Sequence, residues 1–386
     1  MTMANNTIKF CPVGNGDTSL ITLKDGTTIL IDCCIREGFK DSDGSYIYDV
    51  KADLLKSLRY IDKIPHLDLF ILTHPDNDHC LGFRKHFYQG DPNLYAEANL
   101  KNNEIIIDEI WVTSRLFSTD QCDDANSIRN EVNRRKRLQI PSREYSGNIL
   151  RLIGYDEDEK FETVKKYIPG DEITTVNNKL FSTFSAYIHS PFKDDLISSW
   201  ADKERNESCI ILQARFKDNP SDLDHSSFAI FGGDADHYIW QKVLEITELK
   251  NNSKYLKWDL LLAPHHCSWT FFNDVPYEVS ENQKPKDYSL KLIHDYIEPN
   301  GKVISSSKKI TDKKPNPPHQ AAKDEYLKAL KSTDDFFELA IKPSESAPEP
   351  IEFYITNNGV TKSSERAKAA ITSAGALGAA NTIVKN

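Results

Sequence analysis

Apolar residues in this chain recur in short runs that stop at polar turns. Thr7–Pro12 alternates apolar and polar side chains, the pattern of a half-buried strand, and Gly14-Asn15-Gly16-Asp17 follows as a turn. Ser19–Leu23 and Thr27–Asp32 are strand-like runs joined by Lys24-Asp25-Gly26, which predicts a hairpin. Ala52–Ile61 has helical spacing. Leu67–Thr73 is wholly apolar apart from one aspartate and the final threonine, which predicts a buried strand ending at His74. Glu104–Val112 reads as a strand, and Cys122–Leu138 as a polar helix closing on Arg134-Arg135-Lys136-Arg137. The charged stretch Asp156–Lys166 is expected to be exposed. Further strands are predicted at Phe184–His189, Ser208–Ala214, Ser227–Gly232, Leu256–Ala263, Phe337–Ile341 and Pro350–Thr356. Helices are predicted at Asp236–Leu249 and Ala321–Ser332. Ala367–Ala380 is rich in small residues and reads as a tail helix or as disorder.

Three of these apolar strands end at groups that bind metals or move protons. The first gives Thr73-His74-Pro75-Asp76-Asn77-Asp78-His79, four potential ligands within six residues. Imidazoles and carboxylates suit zinc, manganese and iron-like ions. While the chain stays extended, His74, Asp76 and Asp78 share a face. The alternative is a solvated acidic loop. The second gives Phe231-Gly232-Gly233-Asp234-Ala235-Asp236. Here Asp234 could bridge two metals and Asp236 could cap the following helix; a simple turn is the alternative. The third gives Ala263-Pro264-His265-His266-Cys267-Ser268, either ligands or surface histidines. A centre holding two metals draws ligands from several segments, and these three strand ends together supply them.

Composition narrows the class. The chain has 386 residues, 39% hydrophobic and 10% aromatic, enough for a sizeable core and unlike a disordered chain. A net charge of −10 is unfavourable for a protein that coats nucleic acid, although bound metals would add local positive charge. Seven cysteines, an odd number with no CxxC pair, argue against a disulfide scaffold or a zinc finger and for reduced thiols. The first ten residues lack an apolar signal region, and no apolar run approaches membrane-span length, so a soluble cytoplasmic protein is expected.

The ordered motifs resemble the metallo-β-lactamase superfamily, and within it the hydrolase domain of bacterial competence DNA-uptake channel proteins. The resemblance rests on Val13-Gly14-Asn15-Gly16-Asp17, the strand Ile29–Asp32, His74-x-Asp76-x-Asp78-His79, Asn206-Glu207-Ser208-Cys209, Gly233-Asp234 and His265-His266-Cys267-Ser268. It runs from about residue 7 to 356. It implies an α/β fold, the αββα four-layer sandwich, over residues 1–360 with an insertion around 85–170, followed by a tail at 361–386. It also implies two divalent metal ions, zinc or manganese. One would sit with His74, Asp76, Asp234 and Asn206, the other with Asp78, His79, Asp234 and His265. Asp76 stands where most of the superfamily has a histidine. Asn206 stands in place of the third-motif histidine, unless His189 supplies it. Cys267 replaces a glycine of the pattern and is expected to pack rather than bind metal. Between the two adjacent histidines, His265 is favoured as the ligand because it comes first after the strand.

The reaction so implied is hydrolysis by a metal-bridging hydroxide, with a phosphodiester as substrate and nucleic acid as its possible source. Asp78 or Asp234 would orient the hydroxide, and His319 or His266 would protonate the leaving group. Arg134–Arg137 could guide a nucleic-acid backbone. Lys308, Lys309, Lys313 and Lys314, ahead of the Pro315–His319 segment, could form an anion-attracting rim. Two other readings remain: a hydrolase of a small ester, lactone or cyclic nucleotide, and a non-enzymatic scaffold or sensor that keeps the fold.

Overall fold

The structure is a computed structural model. It describes residues 5–38, 40, 44, 47–118, 121–197, 205–273, 275, 284–311, 316–356 and 359–363. The small-residue stretch 367–380 and Lys313 to Pro315 lie outside the described residues.

Two mixed sheets pack face to face. Across the first, the strands run in the order Gly359–Lys362, Ile351–Thr356, Thr7–Phe10, Ser19–Thr22, Thr28–Ile31, Ile64–Ile71, Ile106–Val112, Ile149–Ile153 and Lys165–Tyr167. From Thr28–Ile31 onward the pairing is parallel. The second sheet runs Phe336–Glu338, Ile297–Ser305, Trp258–Leu262, Ser227–Phe231, Ile211–Phe216, Phe184–Ser190 and Glu172–Ile173, with its first four strands parallel.

Strand alternation explains the layering, because successive side chains take opposite faces. Leu69 and Ile71 point into a core shared with Ile188, Leu212, Ala229, Phe231 and Leu260 of the other sheet. Phe10 and Phe231 stack across that interface at 6.1 Å. Phe70 and Leu72 face outward, onto Val50 and Leu54 of the helix Val50–Ser57 and onto Ile128 and Val132 of the helix Asp123–Arg137. On the far side, Trp258, Leu261 and Val303 bury Trp240, Leu292 and Tyr326 of the helices His237–Leu249, Asp287–Asp295 and Gln320–Ala329. The result is helix, sheet, sheet, helix: the four-layer αββα sandwich. Among the described residues, no helix is long and apolar enough to cross a membrane.

Several elements differ from the sequence pattern. The helix expected over Ala52–Ile61 ends at Ser57, because Asp62 and Lys63 turn left-handed and fold Arg59–Ile61 back as a strand against Ile64–Ile71. The buried strand Ile149–Ile153 and the helix Asp287–Asp295 went unread. So did Ile297–Ser305, whose Glu298-Pro299-Asn300 are polar or exposed and resemble a turn. The stretch expected to be an insertion supplies Ile106–Val112, Ile149–Ile153 and Lys165–Tyr167 to the first sheet.

The basic run is used internally. Arg135 is buried, its guanidinium donating to Glu131 Oε1 (2.8 Å), Ile107 O (2.7 Å) and Ile149 O (2.9 Å). Arg134 pairs with Glu131 and donates to Asn148 and Gly147, while Lys136 lies over the Phe117 and Phe161 rings. Only Arg137 of the four is exposed. The run therefore fixes the helix to the strands Ile106–Val112 and Ile149–Ile153. Arg135→Ala, which removes one of the two partners of Glu131 and the donor to two strand carbonyls, should cost about 3 kcal/mol of unfolding free energy in urea melts. Arg137→Ala should change it by less than about 0.5 kcal/mol. Equal effects would contradict this assignment.

Candidate metal centre

The parallel strands end on one side of the sandwich, where ligands collect in open α/β sheets. Thr28–Ile31 delivers Asp32, Ile64–Ile71 delivers Thr73 and His74, and Ser227–Phe231 delivers Asp234. Trp258–Leu262 delivers His265 and His266, and Ile297–Ser305 delivers Ser306. The sheets are tied at this edge by Ile210 N–H donating to Thr73 O, 2.9 Å.

Asp234 is the hub. Its Oδ1 lies 3.0 Å from His79 Nε2 and 3.5 Å from His266 Nε2, and its Oδ2 lies 3.7 Å from His74 Nε2 and 3.6 Å from His265 Nε2. Asp78 Oδ2 joins from the more open side, 3.2 Å from His266 Nε2. Asp78, His79, Asp234 and His266 place one ligand atom each within 4.8 Å of one another.

Each imidazole is oriented through its other nitrogen. His79 Nδ1 donates to Asp32 Oδ2 (2.8 Å), His74 Nδ1 to Thr73 Oγ1 (3.1 Å) and His265 Nδ1 to Thr270 Oγ1 (3.1 Å). His266 Nδ1 lies 2.9 Å from Ser306 O and is met by the Gly16 N–H at 3.2 Å. All four rings are thus held through Nδ1 and turn Nε2 toward Asp234. Asp32 also accepts from Thr73 N (2.7 Å) and Thr73 Oγ1 (2.6 Å), so one buried carboxylate sets two of the rings.

Backbone conformation makes this convergence possible. His265, His266 and Cys267 are all left-handed, with φ of 49°, 54° and 64°, an unfavourable state for residues with a Cβ. In this turn the two adjacent histidines take opposite oxygens of Asp234. Cys267 therefore holds a conformation that glycine favours, and its side chain packs in the outer core with Trp269 and Phe271. Gly233 is left-handed too, and a Cβ there would meet Thr73 Oγ1 at 2.7 Å, so no side chain fits between the two ligand loops.

The electrostatics show what the cluster lacks. His74 Nε2, His79 Nε2 and Asp234 Oδ1 are buried without a hydrogen-bond partner. Burial opposes a charged His79, yet Asp234 and Asp32 outweigh it and hold its pKa well above the ordinary value. Burial likewise opposes a charged His266, which Asp234, Asp17 and Asp78 push up to about 10. Asp234 stays well below the carboxylate range: burial favours its neutral form, but the surrounding histidines dominate. A pocket that draws protons onto imidazoles around buried carboxylates fits divalent cations, for which neutral Nε2 atoms and carboxylate oxygens are suitable donors.

The structure brings His74, Asp78, His79, Asp234, His265 and His266 together and sets other expected residues apart. Asp76 caps the short helix Asn77–Cys80 and is not among the side chains of the tight set. Its carbonyl accepts from His79 N and Cys80 Sγ. Asn206 lies half-buried in the turn Arg205–Ser208, its carbonyl accepting from Cys209 N. His189 does not supply a ligand. It stands on the outer face of its strand, with Nε2 on Tyr255 O at 2.9 Å, and burial depresses it to about 4. Of the adjacent histidines, His266 belongs to the tight set and His265 faces the other oxygen of Asp234, the left-handed turn sending the two rings to opposite sides. His319 is buried behind that turn, its Nδ1 accepting from Trp269 N at 2.9 Å and its own N–H donating to Cys267 O. Lys308 and Lys309 line a cleft with Arg36 and Tyr48 beside Val13 and Gly14, and Lys309 pairs with Glu345. Sequence reasoning gave no role to Asp32, Thr73, Thr270 or Ser306. The available signal was an aspartate or hydroxyl closing an apolar run.

No known family model matches this chain, and no curated protein matches it. Among solved structures, it is similar to isothiocyanate hydrolase from Delia radicum gut bacteria, at 14% identity over 86% of this chain and 95% of that one, TM-score 0.36. It is also similar to a "probable metal-dependent hydrolase from Staphylococcus aureus", at 12% identity over 61% and 74%, TM-score 0.25. At these values the likeness carries nothing about reaction or substrate.

If Asp32 works by orienting the rings, Asp32→Asn should weaken zinc or manganese binding by about 10–100-fold in competition with a chromophoric chelator. Unchanged affinity would remove Asp32 from the site's support.

Proposed function

We propose that this protein is a metal-dependent hydrolase with a centre for two divalent cations, one on each oxygen of Asp234, acting on a phosphodiester. The observation that carries this reading is the convergence of four oriented Nε2 atoms on the two oxygens of one buried carboxylate. His74 and His265 would hold one cation with Asp234 Oδ2. Asp78, His79 and His266 would hold the other with Asp234 Oδ1. When bound, the cations supply Lewis acidity and a water of lowered pKa.

The chain's own residues do the rest. Asp78, with its side chain 35% exposed, is the carboxylate on the solvent side and orients the attacking water. Asp32 and Thr73 keep His74 and His79 in a single tautomer, so no proton leaves Nδ1 during turnover. His319 accepts a backbone N–H at Nδ1, donates its own N–H to Cys267 O, and so holds the turn that presents His265 and His266.

A compact substrate is favoured over a polymer. The internal use of Arg134, Arg135 and Lys136 removes the sequence's best polyanion track, whereas Lys308 lines a cleft that shares the Val13–Asp17 loop with the centre. This supports the cyclic-nucleotide form of the small-substrate reading, with an ester or lactone as the uncharged variants.

The test is a substrate panel with added zinc or manganese: bis(p-nitrophenyl) phosphate, cyclic dinucleotides, single-stranded oligonucleotides, supercoiled plasmid and an aryl lactone. Turnover of the small phosphodiesters is expected, with loss of at least about 100-fold in Asp78→Ala while the circular dichroism spectrum is unchanged. Plasmid cleavage without small-substrate turnover would restore the nuclease reading. Inactivity on every substrate by the metal-loaded protein would favour a scaffold or sensor.

A further inference from the structure

We propose that Cys80 and Cys122 form a reversible disulfide that ties the metal-binding loop to the N-terminus of the helix Asp123–Arg137. Their sulfurs lie 3.5 Å apart, although 42 residues separate them in sequence. A disulfide needs about 2 Å, so a closing movement of about 1.5 Å suffices, within reach of side-chain rotation.

The two thiols have different surroundings, and those differences assign their roles. Six of the seven cysteines are buried; Cys122 is the half-buried one, open to a small oxidant. Cys122 is also the N-cap of a 15-residue helix, where its sulfur accepts from Ala125 N–H at 3.4 Å. Helix N-termini favour the thiolate. The Cys80 thiol beside it acts in the same direction, lowering Cys122 to about 7 against the opposing effect of burial. Cys80 is fully buried and cannot meet the oxidant first, but its sulfur lies within 3.5 Å of Cys122.

With hydrogen peroxide as oxidant, the steps balance. The Cys122 thiolate attacks one peroxide oxygen, the O–O bond breaks, and a sulfenic acid and hydroxide form. Cys80 sulfur then displaces the sulfenic oxygen, its proton leaving with that oxygen as water. Two thiols lose two electrons and the peroxide gains them; a dithiol reductant reverses the change.

Position gives the bond a consequence. Cys80 is the last residue of the helix Asn77–Cys80, next to His79, and its sulfur donates to Asp76 O at 3.2 Å. Drawing that sulfur onto Cys122 breaks this bond and pulls on the segment that carries Asp78 and His79. The disulfide itself does not depend on the proposed reaction; the effect on metal release rests on the metal-centre reading.

The experiment treats the full chain, purified with zinc, with equimolar hydrogen peroxide. The expected product is lighter by two hydrogen atoms, yields a Cys80–Cys122 linked peptide on non-reducing digestion, and reverts with dithiothreitol. Cys122→Ser, which keeps a helix cap, should give no linked product. Cys80→Ser should leave a sulfenic acid at Cys122 that dimedone traps. The oxidised wild type should release zinc to a chelator several-fold faster than the reduced one. A pair that stays reduced, or Cys80 joined to a different cysteine, overturns the disulfide. A linked pair with unchanged zinc release overturns the coupling alone.

Discussion

Everything at the open end of this sandwich is arranged around one buried negative charge. Asp234 is almost closed to water, and an isolated carboxylate there would be strongly destabilised. Asp17 and Asp32 are buried close by and Asp78 completes the set, so the region holds an excess of acid that imidazoles alone offset only by taking protons. Positive charge is therefore a condition of the site's existence. The four rings turn Nε2 toward Asp234, and a divalent cation held there would supply the charge and leave the imidazoles neutral.

That requirement reaches outward into the fold. The ligands sit on turns, but each turn is held by a strand end or a buried partner: Asp32 through Thr73, His265 through Gly233 O, His266 through Ser306 O. Gly16 and Gly233 let loops pass where a Cβ would collide with Asp78 O or Thr73 Oγ1. The strained run His265–Cys267 persists because the outer core around Trp269, Phe271 and Tyr326, together with His319, fixes it from behind. Stability of the layers and geometry of the site are the same set of contacts seen from two sides.

Much of this was legible in the chain. The runs ending at His74, Asp234 and His265 are buried parallel strands, and such strands are nearly uniform in apolar residues, so the polar residue that breaks the run marks the site. What stayed hidden depends on backbone handedness or on distant partners. That both His265 and His266 reach Asp234 follows from three consecutive left-handed residues, which no spacing rule reveals. Asp32 is ordinary in sequence and acquires its role only when Thr73 and His79 fold against it. Arg134–Arg137 looked like a polyanion track because composition does not show that Glu131 and the carbonyls of Ile107 and Ile149 await those guanidinium groups. Ile297–Ser305 was missed because its exposed half imitates a turn.

The most direct test of the central claim is metal stoichiometry by elemental analysis after incubation with zinc or manganese and removal of excess, comparing the wild type with Asp234→Ala. The account predicts about two ions per chain in the wild type and fewer than about one in the variant, since both positions share that carboxylate. A wild type that retains no metal, or a variant that retains as much as the wild type, would contradict it.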